Sequence, residues 1–63
     1  MTIAERLVKA RGDESRLSVC KAVKISLSAL SMYEIGKRIP RDEIKVRLAH
    51  HYGISVQELF YSE

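Results

Sequence analysis

Apolar side chains return along this chain at helical spacing. Ile3, Leu7 and Ala10 stand at i, i+4 and i+7, one face of a helix that turns about 100° per residue. Thr2 and Glu5 form a capping-box pattern ahead of it, in which the hydroxyl accepts from the third helical N–H and the carboxylate reaches back. Gly12-Asp13 supplies the stop, with Gly12 in the left-handed position that ends a helix. A first helix is therefore expected over residues 2–11. Ser15 is the next N-cap candidate, and Val19, Cys20 and Val23 share one face of a short second helix ending near Lys24. Ile25 is an apolar plug before Ser26, the N-cap of a third helix reaching about Glu34; Gly36 then breaks it and Pro40 prevents simple continuation. From Arg41 or Asp42 a fourth helix places Ile44, Leu48 and Tyr52 at i, i+4 and i+8, with Ala49 beside them, until Gly53. Ser55 and Glu58 repeat the capping box, Ile54 and Leu59 make the matching hydrophobic staple, and a last helix over residues 55–61 carries Val56, Leu59 and Phe60. Nothing alternates with period two for long enough to suggest a sheet. The expected architecture is all-α: one domain over residues 1–63, a compact five-helix bundle.

The spacing between Ser15 and Glu34 carries more than fold. A short helix, a tight turn around residues 24–26 and a second short helix make a helix-turn-helix unit. On the third helix Ala29, Leu30 and Tyr33 point toward a core. Ser28, Ser31 and Met32 point the other way, with Leu27 at the rim. A helix with one buried stripe and an outer row of small or uncharged side chains can lie in the major groove of duplex DNA; the same pattern also fits a helix that only covers a small bundle. Lys37, Arg38 and Arg41 follow in a Gly/Pro-punctuated loop, where a phosphate backbone would run if the helix entered the groove. Arg16 begins the second helix, whose N-terminal dipole also favours an anion. Singly, such cations fit solvated loop charges; as a cluster they favour an anionic partner.

Composition narrows the classes. Of 63 residues, 46% are apolar and 30% charged, too apolar for disorder and too evenly charged for a membrane-embedded chain. No stretch free of Asp, Glu, Lys and Arg, residues 25–33 included, approaches the ~20 apolar residues a bilayer span requires. With no signal-peptide pattern visible and a single cysteine, a reducing, cytoplasmic setting is expected. Eleven Lys and Arg against eight Asp and Glu give a formal charge of +3, compatible with a polyanionic partner. A chain this short buries only ~60% of its unfolded surface, so with no disulfide or metal staple it depends on well-packed helices or a partner subunit.

Cys20 shares the apolar face of Val19 and Val23 and is expected to be a buried, unreactive thiol. His50 and His51 are consecutive, so they face different ways and lack the i, i+4 spacing of a helical metal site; His51 lies on the side of Ile44, where it would cover the core edge. No nucleophile–base–orienter set and no glycine-rich phosphate loop can be assembled. The expectation is a non-enzyme with no metal, cofactor or small-molecule ligand.

Residues 15–40 resemble the Cro/CI-type helix-turn-helix family, also called the XRE family, above all Ser26-Leu-Ser-Ala-Leu-Ser-Met-Tyr-Glu34 followed by Gly36-Lys-Arg-Ile-Pro40. The likeness continues through Leu48-Ala49, Gly53-Ile-Ser-Val56 and Leu59-Phe60, nearly the whole chain. It implies a lambda repressor-like DNA-binding domain, commonly of bacterial or phage repressors acting as homodimers at the nucleoid. The recognition helix would be the third, with Leu27, Ser28, Ser31 and Met32 at the bases and Arg16, Lys37, Arg38 and Arg41 at phosphates. Glu34 corresponds to a family glutamate that pairs with an arginine at the end of helix one, here Arg11. Val46, Phe60 and Tyr61 are candidates for a twofold contact, one of the two aromatics completing the core instead. Five positions depart from the family pattern: Leu27 and Met32 lack strong donors, Cys20 and Lys24 replace small residues, and Glu14 replaces an apolar one. The implied function is sequence-specific binding of double-stranded DNA as a small transcriptional regulator. The alternative is a protein-interaction module on the same fold, antitoxin-like or anti-repressor, with weak or lost DNA affinity.

Overall fold

Four hydroxyl caps fix where the helices of this chain begin. In the computed structural model, which describes residues 1–61, α1 spans Ile3–Arg11, α2 Arg16–Val23, α3 Leu27–Glu34 and α4 Asp42–Tyr52, and Gln57–Tyr61 closes the fold as a π-helical turn. Thr2 Oγ1 accepts from the Glu5 N–H at 3.1 Å while Glu5 Oε1 accepts from the Thr2 N–H at 2.8 Å, the complete reciprocal box. Ser15 Oγ accepts from the Ser18 N–H and Ser26 Oγ from the Ala29 N–H. Ser55 accepts from the Glu58 N–H at 3.0 Å, but the second half of that box differs from expectation: the Ser55 hydroxyl itself donates to the Glu58 carboxylate at 3.2 Å. Only α4 starts without a side-chain cap; Asp42 and Glu43 in its first turn place negative charge at the positive end of its dipole instead.

The helix ends depend on backbone that ordinary residues avoid. Gly12 ends α1 at φ 55°, ψ −125°, outside the left-handed helical well expected of it and in a region open to little besides glycine. Gly53 ends α4 at φ 71°, ψ 27°, and the Ile54 N–H returns to the Ala49 carbonyl, a Schellman closure. Lys24 ends α2 at φ 63°, ψ 51° and is the one non-glycine with positive φ among the described residues. Its N–H and that of Ile25 both donate to the Cys20 carbonyl, which holds the tight turn into α3.

Among the described residues the architecture is all-helical. α1 packs on α3 and the terminal turn, and α2 packs on α3 and α4. Leu7, Val19, Leu30, Leu48 and Leu59 are fully buried, one or more from every element, each contributing on the order of 2 kcal/mol of hydrophobic stabilisation. Cys20, Val23, Tyr33, Ile44, Ala49 and Phe60 complete the core. The terminal turn is tied down by Arg6, which donates to the carbonyls of Leu59, Phe60 and Met1. A guanidinium there satisfies carbonyls that a helix end leaves open. No helix is long and apolar enough to cross a membrane among the described residues.

Relaxing Lys24 is expected to stabilise the chain. Lys24→Gly removes a left-handed strain of about 1–2 kcal/mol, offset in part by the freer unfolded chain, for a net gain of about 0.5–1 kcal/mol. Thermal unfolding followed by circular dichroism should therefore show a rise of several degrees, whereas Gly12→Ala should lower the midpoint.

Candidate nucleic-acid interface

The two sides of α3 differ in kind. Leu30, Tyr33 and Glu34 are buried, and Ala29 packs against the core. On the opposite side Leu27 is 49% exposed, Met32 38% exposed and Ser28 open to solvent, with Ser31 half-buried at the edge. Beyond the helix the Lys37 N–H donates to the Met32 carbonyl at 3.0 Å, Pro40 is buried, and Lys37, Arg38 and Arg41 stand exposed around them. None of these three side chains makes an ion pair or hydrogen bond among the described residues. The loop backbone is pinned while its cations stay exposed.

Charge is unevenly distributed. Between Arg16 and Arg41 the chain holds six Lys and Arg and a single acid, Glu34, whose side chain is only 1% exposed. The rest of the sequence, taken together, holds seven acids and five Lys and Arg. The helix-turn-helix and its following loop thus present a basic surface on a chain of modest net charge.

Glu34 organises this region from beneath. Its Oε2 accepts from Arg11 Nε at 2.8 Å and its Oε1 from Arg11 Nη2 at 3.3 Å, a forked contact from the end of α1. Arg16 Nε, from the start of α2, donates to the same Oε1 at 2.9 Å. Arg11 also donates through Nη1 to the Glu14 carbonyl at 2.8 Å, so the α1–α2 loop joins the cluster. Burial alone would push the Glu34 carboxyl up. The hydrogen bonds from Arg11 and then Arg16 outweigh that and hold it below its ordinary value of 4.5. Arg16, expected at phosphate, is therefore committed through Nε to an internal acid; its Nη groups make no hydrogen bond among the described residues and the side chain is half exposed.

A second polar link replaces the apolar plug whose absence at Glu14 stood out. Glu14 accepts from the Ser18 hydroxyl at 2.8 Å and sits 2.9 Å from His51 Nε2, joining the α1–α2 loop to α4. The Ser18 bond and then His51 lower its carboxyl pKa. The Tyr52 hydroxyl nearby is buried without a partner among the described residues, and burial pushes it up to about 12. Cys20 is buried, and desolvation raises its thiol.

The candidate twofold surface needs a correction. Phe60 is 3% exposed and part of the core, so it offers nothing to a second chain; the terminal turn docks it inward against α1. Tyr61 is 52% exposed, its hydroxyl accepting from Lys45 Nζ at 2.9 Å with the ammonium 4.9 Å from the ring centre, and Val46 beside Lys45 is open to solvent.

Compared with known proteins, the chain matches the model of the helix-turn-helix family over residues 6–59. No curated protein and no solved structure matches it.

Glu34→Gln leaves two guanidinium groups facing a neutral amide and is expected to cost about 3 kcal/mol at neutral pH. The native carboxyl titrates below its unfolded value, so its stabilisation is complete above that unfolded value and is lost as pH falls through the folded one. Urea titrations across pH should show the variant losing part of the acid-side decline, Glu5 and Glu14 supplying the rest.

Proposed function

The chain belongs to the Cro/CI-type helix-turn-helix family of DNA-binding regulators, and on that premise we propose that it is a small transcriptional repressor that binds duplex DNA through α3. The observation that carries the proposal is the uncovered outer side of α3 followed by three exposed cations that have no partner among the described residues, on a stretch whose only acid is buried. Lys37, Arg38 and Arg41, with the free edge of the Arg16 guanidinium, clamp phosphates and set the register; Leu27, Ser28, Ser31 and Met32 face the base edges. Occupying a promoter excludes polymerase without any catalytic group. A homodimer would span half-sites one helical turn apart, about 34 Å, with Val46 and Tyr61 at the twofold contact.

A second function has some support in exposed apolar side chains. Leu17, Leu27, Met32, Ile35 and Ile39 all stand open to solvent in or just after the helix-turn-helix, as a protein-docking module of antitoxin or anti-repressor type would require. Salt separates the two. Four phosphate-bound cations give a log–log slope of affinity against salt of about −3 to −4, a loss of roughly a hundredfold between 50 and 200 mM. Apolar association with a protein would change little over that range.

Fluorescence anisotropy with labelled duplexes should return that slope, and Arg38→Ala should flatten it by about one while weakening all sequences alike. An unchanged affinity in Arg38→Ala removes that residue from the phosphate set. For the dimer, Val46→Glu should shift sedimentation toward monomer and weaken binding to a two-half-site duplex more than to a single half-site.

A further inference from the structure

The outer side of α3 lacks the side chains that identify guanine or adenine by paired hydrogen bonds. Positions 27, 28, 31 and 32 fall within an arc of about 140° and hold Leu, Ser, Ser and Met. A serine hydroxyl both donates and accepts, so it can bond to any base and discriminates weakly between them. Leu27 and Met32 are therefore the side chains on this surface with a definite chemical preference, and both are kept in water by the isolated chain. In the major groove the apolar feature presented by the standard bases is the C5 methyl of thymine. The basic surround and the exposed loop cations supply the complementary charge that would press this side onto a groove.

Resting on the DNA-binding function proposed above, we infer that the chain selects its sites through contacts of Leu27 and Met32 with thymine methyl groups. The two positions are five residues apart, about 7.5 Å along the helix axis. Two apolar tips at that separation meet methyls at a few positions of a half-site and ignore the rest of the duplex. A wrong base then costs only a lost apolar contact and leaves no buried polar group unpaired. Selection is correspondingly shallow, about fourfold for each methyl, the value of burying one such group. Sites that combine several correctly placed thymines, or two half-sites read by a dimer, multiply that factor.

The test uses duplexes enriched by the wild-type chain from a random-sequence library, resynthesised with deoxyuridine in place of single thymidines. Uracil keeps the pairing edge and removes only the methyl. The expected result is a loss of about fourfold at a few positions per half-site and none elsewhere. Leu27→Ala and Met32→Ala, both at solvent-exposed sites, should each abolish the thymine-over-uracil preference at its own position while keeping the salt slope. Wild-type binding that is salt-dependent but indifferent to uracil everywhere overturns the methyl contact and leaves the DNA-binding function standing. Preferences that persist in both variants overturn it equally. Failure to bind any duplex at low salt overturns the DNA-binding function, and this inference with it.

Discussion

Glu34 brings a negative charge into a core otherwise made of uncharged, largely apolar side chains, and two arginines from different helices meet it there. A carboxylate so enclosed is tolerable only because both oxygens receive charged donors. The geometry that satisfies it also fixes how α1 and α2 stand relative to α3. Since Glu34 is the last residue of α3, the pairing anchors that helix at its C-terminal end while the Ser26 cap anchors it at the other. The outer row of side chains is thereby held at both ends, and the loop carrying Lys37, Arg38 and Arg41 leaves from a fixed point. The same cluster draws Arg16 partly inward, so one residue contributes both to the interior and to the basic surface.

Small size explains why so many local devices are present. At about 0.05–0.15 kcal/mol per residue, a chain of this length has stability on the order of 3–9 kcal/mol. Each serine or threonine cap is worth about 1 kcal/mol, and four of them are a substantial share of that total. Against them stands Lys24, which keeps a left-handed conformation at a turn where glycine would be easier. Its retained charge adds to the basic run from Arg16 to Arg41. The chain thus gives up a little folding free energy at a position that lies in the helix-turn-helix itself.

The helix order and most helix ends were legible because caps, staples and glycine stops are interactions between residues a few positions apart. The buried and outer sides of α3 followed from helical periodicity in the same way. What periodicity could not reach are partners distant in sequence: Arg16 with Glu34, Glu14 with His51, Arg6 with the carbonyls of the last turn. These depend on which helices pack together, and a charged residue in a sequence does not announce its distant partner. The Arg11–Glu34 pairing was available only through family resemblance. Phe60 and Tyr61 are adjacent aromatics with equal claims on the interior, and the π winding of the last turn decides that Phe60 enters it. Gly12 was marked as a stop, but its ψ of −125° belongs to a loop that also brings Glu14 to His51 of α4, a partner distant in sequence.

Cys20 lies 5% exposed between Val19 and the left-handed turn, with its thiol held away from ionisation by desolvation. Thiolate is the form that alkylating reagents capture, and it becomes plentiful at this position only when α2 separates from its neighbours. The lone thiol is therefore a built-in clock for that separation: each modified molecule records an excursion out of the native state, with no dye or label added.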